Sequence, residues 1–303
     1  MVTTLYATTL TIANVSLPKI QGAMSATPDQ IAWVISANLI ATAVTIPMAG
    51  WLSARLGRKR AMLYGVGGFA LSSLMCGLST SLEELIFWRV VQSACGSPLV
   101  PISQSVVLDQ FPGRSRGPAI AFYGLGVGLG PTVAPLLGGY VSEAWSWSWV
   151  FFILVPLGVL AFLGIALFVR DADRGNRAAR LDWIGFLSLA VAVACIQLVL
   201  DRGMRNDWLA SFEIVAELFI AAMAFWIFLV HSLTAERPFL DLRLFTDRNF
   251  ALGMLIGLIF GMLFITPTVM LPTALQQLHG VPDFSIGMMI AVRGVLSDSA
   301  KSA

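Results

Sequence analysis

Arg89 and Gln92 are the two residues whose types and spacing point most directly to chemistry. They lie three positions apart in the apolar run Leu85-Ile-Phe-Trp-Arg-Val-Val-Gln, so on a helix they share a face. A cation at the centre of a bilayer costs about 2.5–3.5 kcal/mol, and such residues usually face a cavity or a partner. We therefore expect Arg89 and Gln92 to line a cavity, where charge and hydrogen bonds would hold a ligand, with Gln104 continuing the polar line. The alternative is that Arg89, near a helix end, extends to the membrane surface.

A second group of charged residues occupies the segment Gly50 to Arg60, between two long apolar runs. Its four cations, in six residues, are Arg55, Arg58, Lys59 and Arg60. Four cations cannot enter hydrocarbon together, so this turn must lie at a membrane surface. Cations close to the ends of membrane spans are retained on the cytoplasmic side, which predicts a cytoplasmic turn.

Other kinds of site find no support in the sequence. There is no Gly-rich phosphate-binding loop, no hydrolytic triad and no cluster of metal ligands, and the three cysteines, Cys76, Cys95 and Cys195, lie singly inside apolar runs. We therefore expect neither an enzyme nor a cofactor, metal or nucleic-acid partner.

The elements that carry these residues are apolar runs long enough to cross a bilayer. Of the 303 residues, 57% are hydrophobic and 12% are charged, whereas soluble domains carry about 25% charged residues. A membrane helix needs about 20 mostly apolar residues. Nine runs qualify, and a tenth begins near Ile286: Val2–Ile20, Ile31–Ala54, Ala61–Leu78, Leu85–Leu108, Pro118–Val141, Val150–Val169, Trp183–Leu200, Phe212–Leu233 and Phe250–Pro272. The fold class is therefore an all-α integral membrane protein.

The distribution of Lys and Arg predicts how the chain threads the membrane. The connections after the second, fourth, sixth and eighth runs hold 13 cations, whereas those after the third, fifth, seventh and ninth hold two, Arg202 and Arg205. Apart from Lys19 at the end of the first run, Arg89 is the only Lys or Arg inside any of the nine runs. The positive-inside rule then predicts a multi-pass protein with a cytoplasmic N-terminus.

The spacing of the runs divides the chain into three parts. Short turns join the first six runs into an N-terminal bundle, residues 1–170. After a polar segment come two linker helices, residues 171–235, and a second polar segment introduces an incomplete C-terminal bundle, residues 236–303.

Several motifs resemble those of the major facilitator superfamily of transporters. The turn after the second run matches the superfamily's loop between helices two and three, and Leu-x3-Arg-x2-Gln around Arg89 is similar to a motif of helix four. The fifth run resembles the antiporter motif Gly-x8-Gly-x3-Gly-Pro-x2-Gly-Gly. The matching positions are Gly50, Leu52, Arg55, Gly57, Arg58 and Lys59 in the turn, and Gly130, Pro135, Gly138 and Gly139 in the fifth run. Small residues let a neighbouring helix approach closely, and Pro135 predicts a bend.

The first run resembles a segment of the fourteen-helix drug:proton antiporter branch (EmrB/QacA-like). Asn14, Leu17 and Pro18 match, but the membrane acid of that branch falls on Thr9, and the first carboxylate of the chain is Asp29. The coupling acid is therefore missing, and we expect the usual route of tight proton coupling to be absent. Thr9 and Asn14 remain candidates for hydrogen bonding to a substrate.

The resemblance implies alternating access, in which two helical halves rock about a midplane cavity and export hydrophobic or cationic drugs across the bacterial inner membrane in exchange for protons. It implies as partners the lipid bilayer, the substrate, protons and, in a double-membraned bacterium, a periplasmic adaptor and an outer-membrane channel. The alternative is a truncated, non-transporting membrane fragment, because fourteen spans need more residues than the 303 present.

Overall fold

The computed structural model describes residues 1–111, 113–169, 180–236, 238–259 and 261–263, with the side chains of Leu10, Val15, Thr132, Pro135 and Leu136 outside the description. The described chain is helical. Its α-helices are α1 Val2–Ala23, α2 Pro28–Thr45, α3 Ala49–Leu56, α4 Arg58–Leu78, α5 Leu82–Gly96, α6 Leu99–Gln110, α7 Arg116–Ala144, α8 Trp149–Phe152, α9 Leu154–Phe168, α10 Trp183–Arg202 and α11 Phe212–Thr234. A further apolar helix begins at Arg248 and is described to residue 263.

The all-α membrane architecture expected from the sequence is confirmed. Within the described ranges, six helical segments are long and apolar enough to cross a bilayer. Two of them are interrupted at prolines: Pro47 lies in a 3₁₀ turn between α2 and α3, and Pro98 separates α5 from α6. The predicted ninth run, Phe250–Pro272, is described only in its first part, and the start of the tenth lies outside the described residues. The six spans are Pro28–Leu56, Arg58–Leu78, Leu82–Gln110, Trp149–Phe168, Trp183–Arg202 and Phe212–Thr234.

The helices α1 to α9 form one bundle with two apolar clusters stacked along its length. One cluster surrounds Phe69 of α4, and the other surrounds Phe151 of α8; both side chains are fully buried. Inside a bilayer, such side chains hold helices together by van der Waals packing rather than by the hydrophobic effect. The clusters join α1, α4 and the α8–α9 pair.

Contacts at the two ends of the bundle show which helix ends lie close to one another. At one end, Arg58 forms an ion pair with Asp109, and Lys59 Nζ donates to the carbonyl oxygen of Ala166 at 2.9 Å. At the other end, Lys19 Nζ donates to the carbonyl oxygen of Ser142 at 2.8 Å. The start of α4 therefore lies beside the ends of α6 and α9. Which end faces the cytoplasm stays a prediction.

The helices α10 and α11 form a hairpin, named here the linker hairpin, that packs on α2. Asp201 Oδ2 accepts a hydrogen bond of 2.5 Å from Ser36 Oγ, and Arg205 pairs with Asp29 at 3.1 Å. Arg202 lies over the Trp33 ring, with its guanidinium carbon 5.4 Å from the ring centroid. Arg202 also pairs with Glu213 and Glu217 of α11. These contacts surround a polar cavity of about 240 Å³ between α2 and α10.

Asp182 joins three segments at the other end of the linker hairpin. Its carboxylate accepts hydrogen bonds from the backbone N–H groups of Gly185 and Phe239, each at 3.0 Å, and it contacts His231 Nε2 at 2.8 Å. Burial raises the pKa of Asp182, but the three hydrogen bonds and the His231 charge outweigh that effect and leave the pKa below its ordinary value. The carboxylate therefore caps α10 and ties it to the segment after α11.

Candidate functional site

Arg89 lies inside the bundle rather than at the membrane surface. It is 1% exposed, although it is eight positions into α5. Its Nη1 donates to Gln92 Oε1 at 2.6 Å, and its guanidinium carbon lies 5.7 Å from the centroid of the Phe151 ring. Gln92 is fully buried, and its Nε2 donates a hydrogen bond to Ser73 Oγ of α4 at 2.7 Å. The expected pairing of Arg89 with Gln92 is thus present, and extension to the surface does not occur.

Further polar contacts close to the pair, buried or half-buried, join α1, α2, α4 and α5. Ser93 Oγ donates to Asn38 Oδ1 of α2, and Tyr6 and Thr42 share a hydrogen bond of 2.6 Å between their hydroxyl oxygens. A hydroxyl contact of the same length joins Thr45 to Ser97. Buried polar groups are costly unless they are paired, so this network favours one relative arrangement of the four helices. We name it the polar network: Tyr6, Asn38, Thr42, Thr45, Ser73, Arg89, Gln92, Ser93 and Ser97.

The other predicted substrate residues lie apart from Arg89 and Gln92. Thr9 is buried, and its hydroxyl donates to the carbonyl oxygen of Leu5 one turn earlier at 3.1 Å. Asn14 Oδ1 is buried without a hydrogen-bond partner among the described residues. Gln104 lies on α6, which begins after the break at Pro98, and its side chain is exposed. The continuous polar line expected from Arg89 to Gln104 is therefore absent.

In the cationic turn, only Gly57 lies outside a helix: it is the C-cap of α3 and the N-cap of α4. Gly57 has φ +81°, a conformation that residues with a Cβ rarely adopt. Arg55 lies over the Trp51 ring at 5.2 Å, whereas Arg58 and Lys59 hold the ends of α6 and α9 through the contacts described above. Gly50, by contrast, has open space where a Cβ would stand.

The fifth run forms α7, which packs along α1 through two of its predicted small residues. A Cβ at Gly130 would lie 2.7 Å from the carbonyl oxygen of Thr4, and one at Gly138 would lie 3.0 Å from that of Ile12. Gly139 is half-buried, and the helix is continuous past position 135. Gly130 and Gly138 therefore make a packing face inside the bundle.

A large apolar cavity lies between α1, α6 and α7. Its volume is about 780 Å³, and no Asp, Glu, Lys or Arg contributes to its lining. Tyr123 borders it and is held by a hydrogen bond of 2.8 Å from its hydroxyl to the carbonyl oxygen of Val100. The cavity lies at the end of the bundle that carries the Arg58–Asp109 pair, because Val107 and Phe111 flank Asp109. Its lining residues are Met1, Thr3, Thr4, Val107, Phe111, Ser115, Pro118, Ala119, Phe122, Tyr123, Leu125, Gly126 and Leu129.

Sequence reasoning missed both the α2 members of the polar network and this cavity. Asn38, Thr42 and Thr45 repeat at helical spacing, which places them on one face of α2 and could have indicated a polar interface. The cavity carries no comparable signal, because its lining is apolar and comes from three separated segments.

Comparisons with known proteins agree with this architecture. The family model described as Major Facilitator Superfamily matches residues 1–297. The chain is 37% identical over 286 residues to Multidrug export protein EmrB of Escherichia coli, covering 94% of this chain and 56% of that protein. It is 32% identical, with the same coverage, to Fatty acid resistance protein FarB of Neisseria gonorrhoeae. A crystal structure of a peptide transporter, POT, superposes with a TM-score of 0.53 at 18% identity, covering 78% of this chain and 53% of that one.

The chain spans about half the length of these curated relatives. Its match to the family model nevertheless extends over nearly all of its residues, and the described helices have the arrangement that the motifs predicted. The resemblance is thereby confirmed, and the expectation that this is not an enzyme agrees with it. The chain belongs to the Major Facilitator Superfamily, in the neighbourhood of the EmrB-type multidrug transporters.

Proposed function

We propose that this chain forms the first bundle and linker hairpin of a transporter that exports hydrophobic compounds across the bacterial inner membrane by alternating access. The observation that carries the proposal is the cavity of about 780 Å³ between α1, α6 and α7. Pockets for drug-sized molecules measure about 300–1,000 Å³ and are mainly apolar. The aromatic rings of Phe122 and Tyr123 would also attract a cationic cargo through their faces. Names of relatives that mention drugs or fatty acids agree with apolar cargo.

The proposed orientation places this cavity on the cytoplasmic side, with the N-terminus. The Arg58–Asp109 end carries the cation-rich turn after α3, and cations near span ends are retained in the cytoplasm. Cargo would then be captured from the cytoplasm or the inner leaflet. The second bundle, which would begin near residue 236, would close over the cavity, and a periplasmic adaptor and an outer channel would meet the opposite end.

Proton exchange, the mode of the related branch, would be weak in this chain. Between residues 1 and 169, the described carboxylates all lie at helix ends: Asp29, Glu83, Glu84, Asp109 and Glu143. Thr9 occupies the position of the coupling acid, but its hydroxyl does not titrate near neutral pH, and the Arg89 guanidinium keeps its proton. We therefore propose that substrate-driven pH change in vesicles is small. Robust exchange would contradict this part of the proposal.

A binding assay tests the cavity without requiring transport. Radiolabelled tetraphenylphosphonium, an apolar cation, would be titrated onto the purified chain in detergent. We expect Phe122→Ala to weaken binding at least several-fold, because Phe122 borders the cavity and is 79% exposed. The matched control is Phe219→Ala on α11, which is 67% exposed and lies outside the cavity, and it should bind normally. Equal affinities for the two variants would contradict the proposed site.

The alternative is that the chain by itself is a membrane fragment that binds cargo without transporting it; the chain spans 56% of the length of EmrB. Expression in a bacterium deprived of its own efflux pumps distinguishes the two readings. Resistance conferred by this chain alone would support transport. Binding of the probe without resistance, together with resistance from a version extended by a second bundle, would support the alternative.

A further inference from the structure

Arg89 is a buried cation without a carboxylate partner among the described residues. Its side chain is 1% exposed, and the chain's described ion pairs all lie elsewhere. At the axial rise of a helix, Arg89 stands about 10 Å from the start of α5 at Leu82. It therefore sits well inside the low-dielectric part of the molecule, where an isolated charge is most costly.

The groups that surround Arg89 compensate its charge only in part. Gln92 supplies one neutral oxygen to Nη1 at 2.6 Å, and Phe151 offers the face of its ring at 5.7 Å. Arg89 Nε is buried and has no hydrogen-bond acceptor in the described part of the chain. The hydroxyls of Ser73 and Ser93 are already engaged with Phe69 and Asn38. Among the described residues, the Nε–H donor of Arg89 thus has no acceptor, and most of its positive charge has no compensating negative charge.

We propose that Arg89 holds a small inorganic anion of the chloride type, received by its Nε–H group. A buried guanidinium stays charged and a buried charge is normally paired, so a bound species can supply the negative charge that no described side chain provides. The occupant is small, because Arg89 is 1% exposed and its Nε–H group is closed to solvent. The anion takes the electrostatic place of an acidic side chain, and it does so whether or not the chain transports anything.

Gln92→Glu is the decisive variant, because it changes the charge at the site without changing its shape. The oxygen that accepts from Arg89 Nη1 would become part of a carboxylate, and the internal ion pair would make the anion unnecessary. Gln104→Glu is the matched control: it introduces the same chemical change on α6, where Gln104 is exposed and outside the polar network.

The experiment measures the thermal unfolding midpoint of the purified chain in detergent, in sodium chloride against sodium gluconate at equal ionic strength. For the wild type and for Gln104→Glu, we expect a saturable increase with chloride of about 2 °C at ten times the dissociation constant. Gln92→Glu should unfold at the same temperature in both salts. Equilibrium dialysis with radioactive chloride should show binding to the first two proteins and none to the third.

Two results would overturn the proposal. Equal midpoints of the wild type in chloride and gluconate would mean that the Arg89 charge is compensated without an anion. Chloride dependence that persists unchanged in Gln92→Glu would place the anion away from Arg89.

Discussion

Replacing Gly130 by Ala tests whether α7 and α1 are held together by direct backbone approach. The added Cβ would lie 2.7 Å from the carbonyl oxygen of Thr4 and 3.0 Å from the backbone nitrogen of Thr8. Ordinary contact begins near 3.4 Å, so the two helices would have to separate locally by about 0.7 Å. Both neighbouring atoms are backbone atoms of α1, and no side chain can turn away to relieve the contact.

The expected magnitude follows from two opposing effects. Overpacking a close contact costs about 1–3 kcal/mol, while Ala is favoured over Gly inside a helix by about 1 kcal/mol. Gly124→Ala on the same helix provides the matched control, because a Cβ at Gly124 would meet nothing within 4 Å. Gly130→Ala should therefore be about 1–3 kcal/mol less stable than Gly124→Ala.

The measurement is the thermal or denaturant unfolding of both variants in the same detergent. A difference of this size corresponds to at least about 2 °C in the unfolding midpoint. Equal midpoints for Gly130→Ala and Gly124→Ala would refute the close approach of α7 to α1, and with it the packing role given to this part of the antiporter motif.

Three further predictions concern the turn and the linker hairpin. Gly57→Ala should destabilise the chain by about 1–3 kcal/mol, because Gly57 has φ +81° and ψ +154°, a region that is essentially restricted to glycine. Gly50→Ala, in open space, should not destabilise it, and denaturant unfolding compares the two variants. The lowered pKa of Asp182 means that its stabilising contacts are complete above the ordinary Asp pKa, near 3.9, and are lost as the pH falls through the lower pKa of the folded state. Unfolding midpoints should therefore fall more between pH 6 and pH 3 in the wild type than in Asp182→Ala. Parallel curves for the two proteins would argue against this. Arg60→Cys should react with a membrane-impermeant maleimide in inside-out vesicles but not in right-side-out vesicles, and the reverse result would invert the proposed topology.

Much of the fold could be predicted from the sequence because a bilayer leaves few alternatives. Runs of about 20 apolar residues must be helical, and eight of the nine predicted runs coincide with described helices from α1 to α11. The breaks near Pro47 and Pro98 were not predicted, since hydropathy does not change there although a backbone donor is lost.

The candidate site was only partly predictable. The pairing of Arg89 with Gln92 follows from their spacing along one helix, which is local information. Ser73 and Asn38 come from other helices, and only tertiary packing brings them to Gln92 and Ser93. Gln104 was assigned to the same line because the sequence suggested one long helix where the structure has two.

The attachment of the linker hairpin to α2 has a consequence for any large-scale motion. Ser36 contacts Asp201 of α10, and Asp29 contacts Arg205 just after α10, so α10 and α11 would move together with the bundle of α1 to α9. A rotation of a second bundle against the first would then not be absorbed by movement of the linker hairpin relative to α2. The pivot would have to lie beyond Thr234, in the stretch that leads to the helix beginning at Arg248.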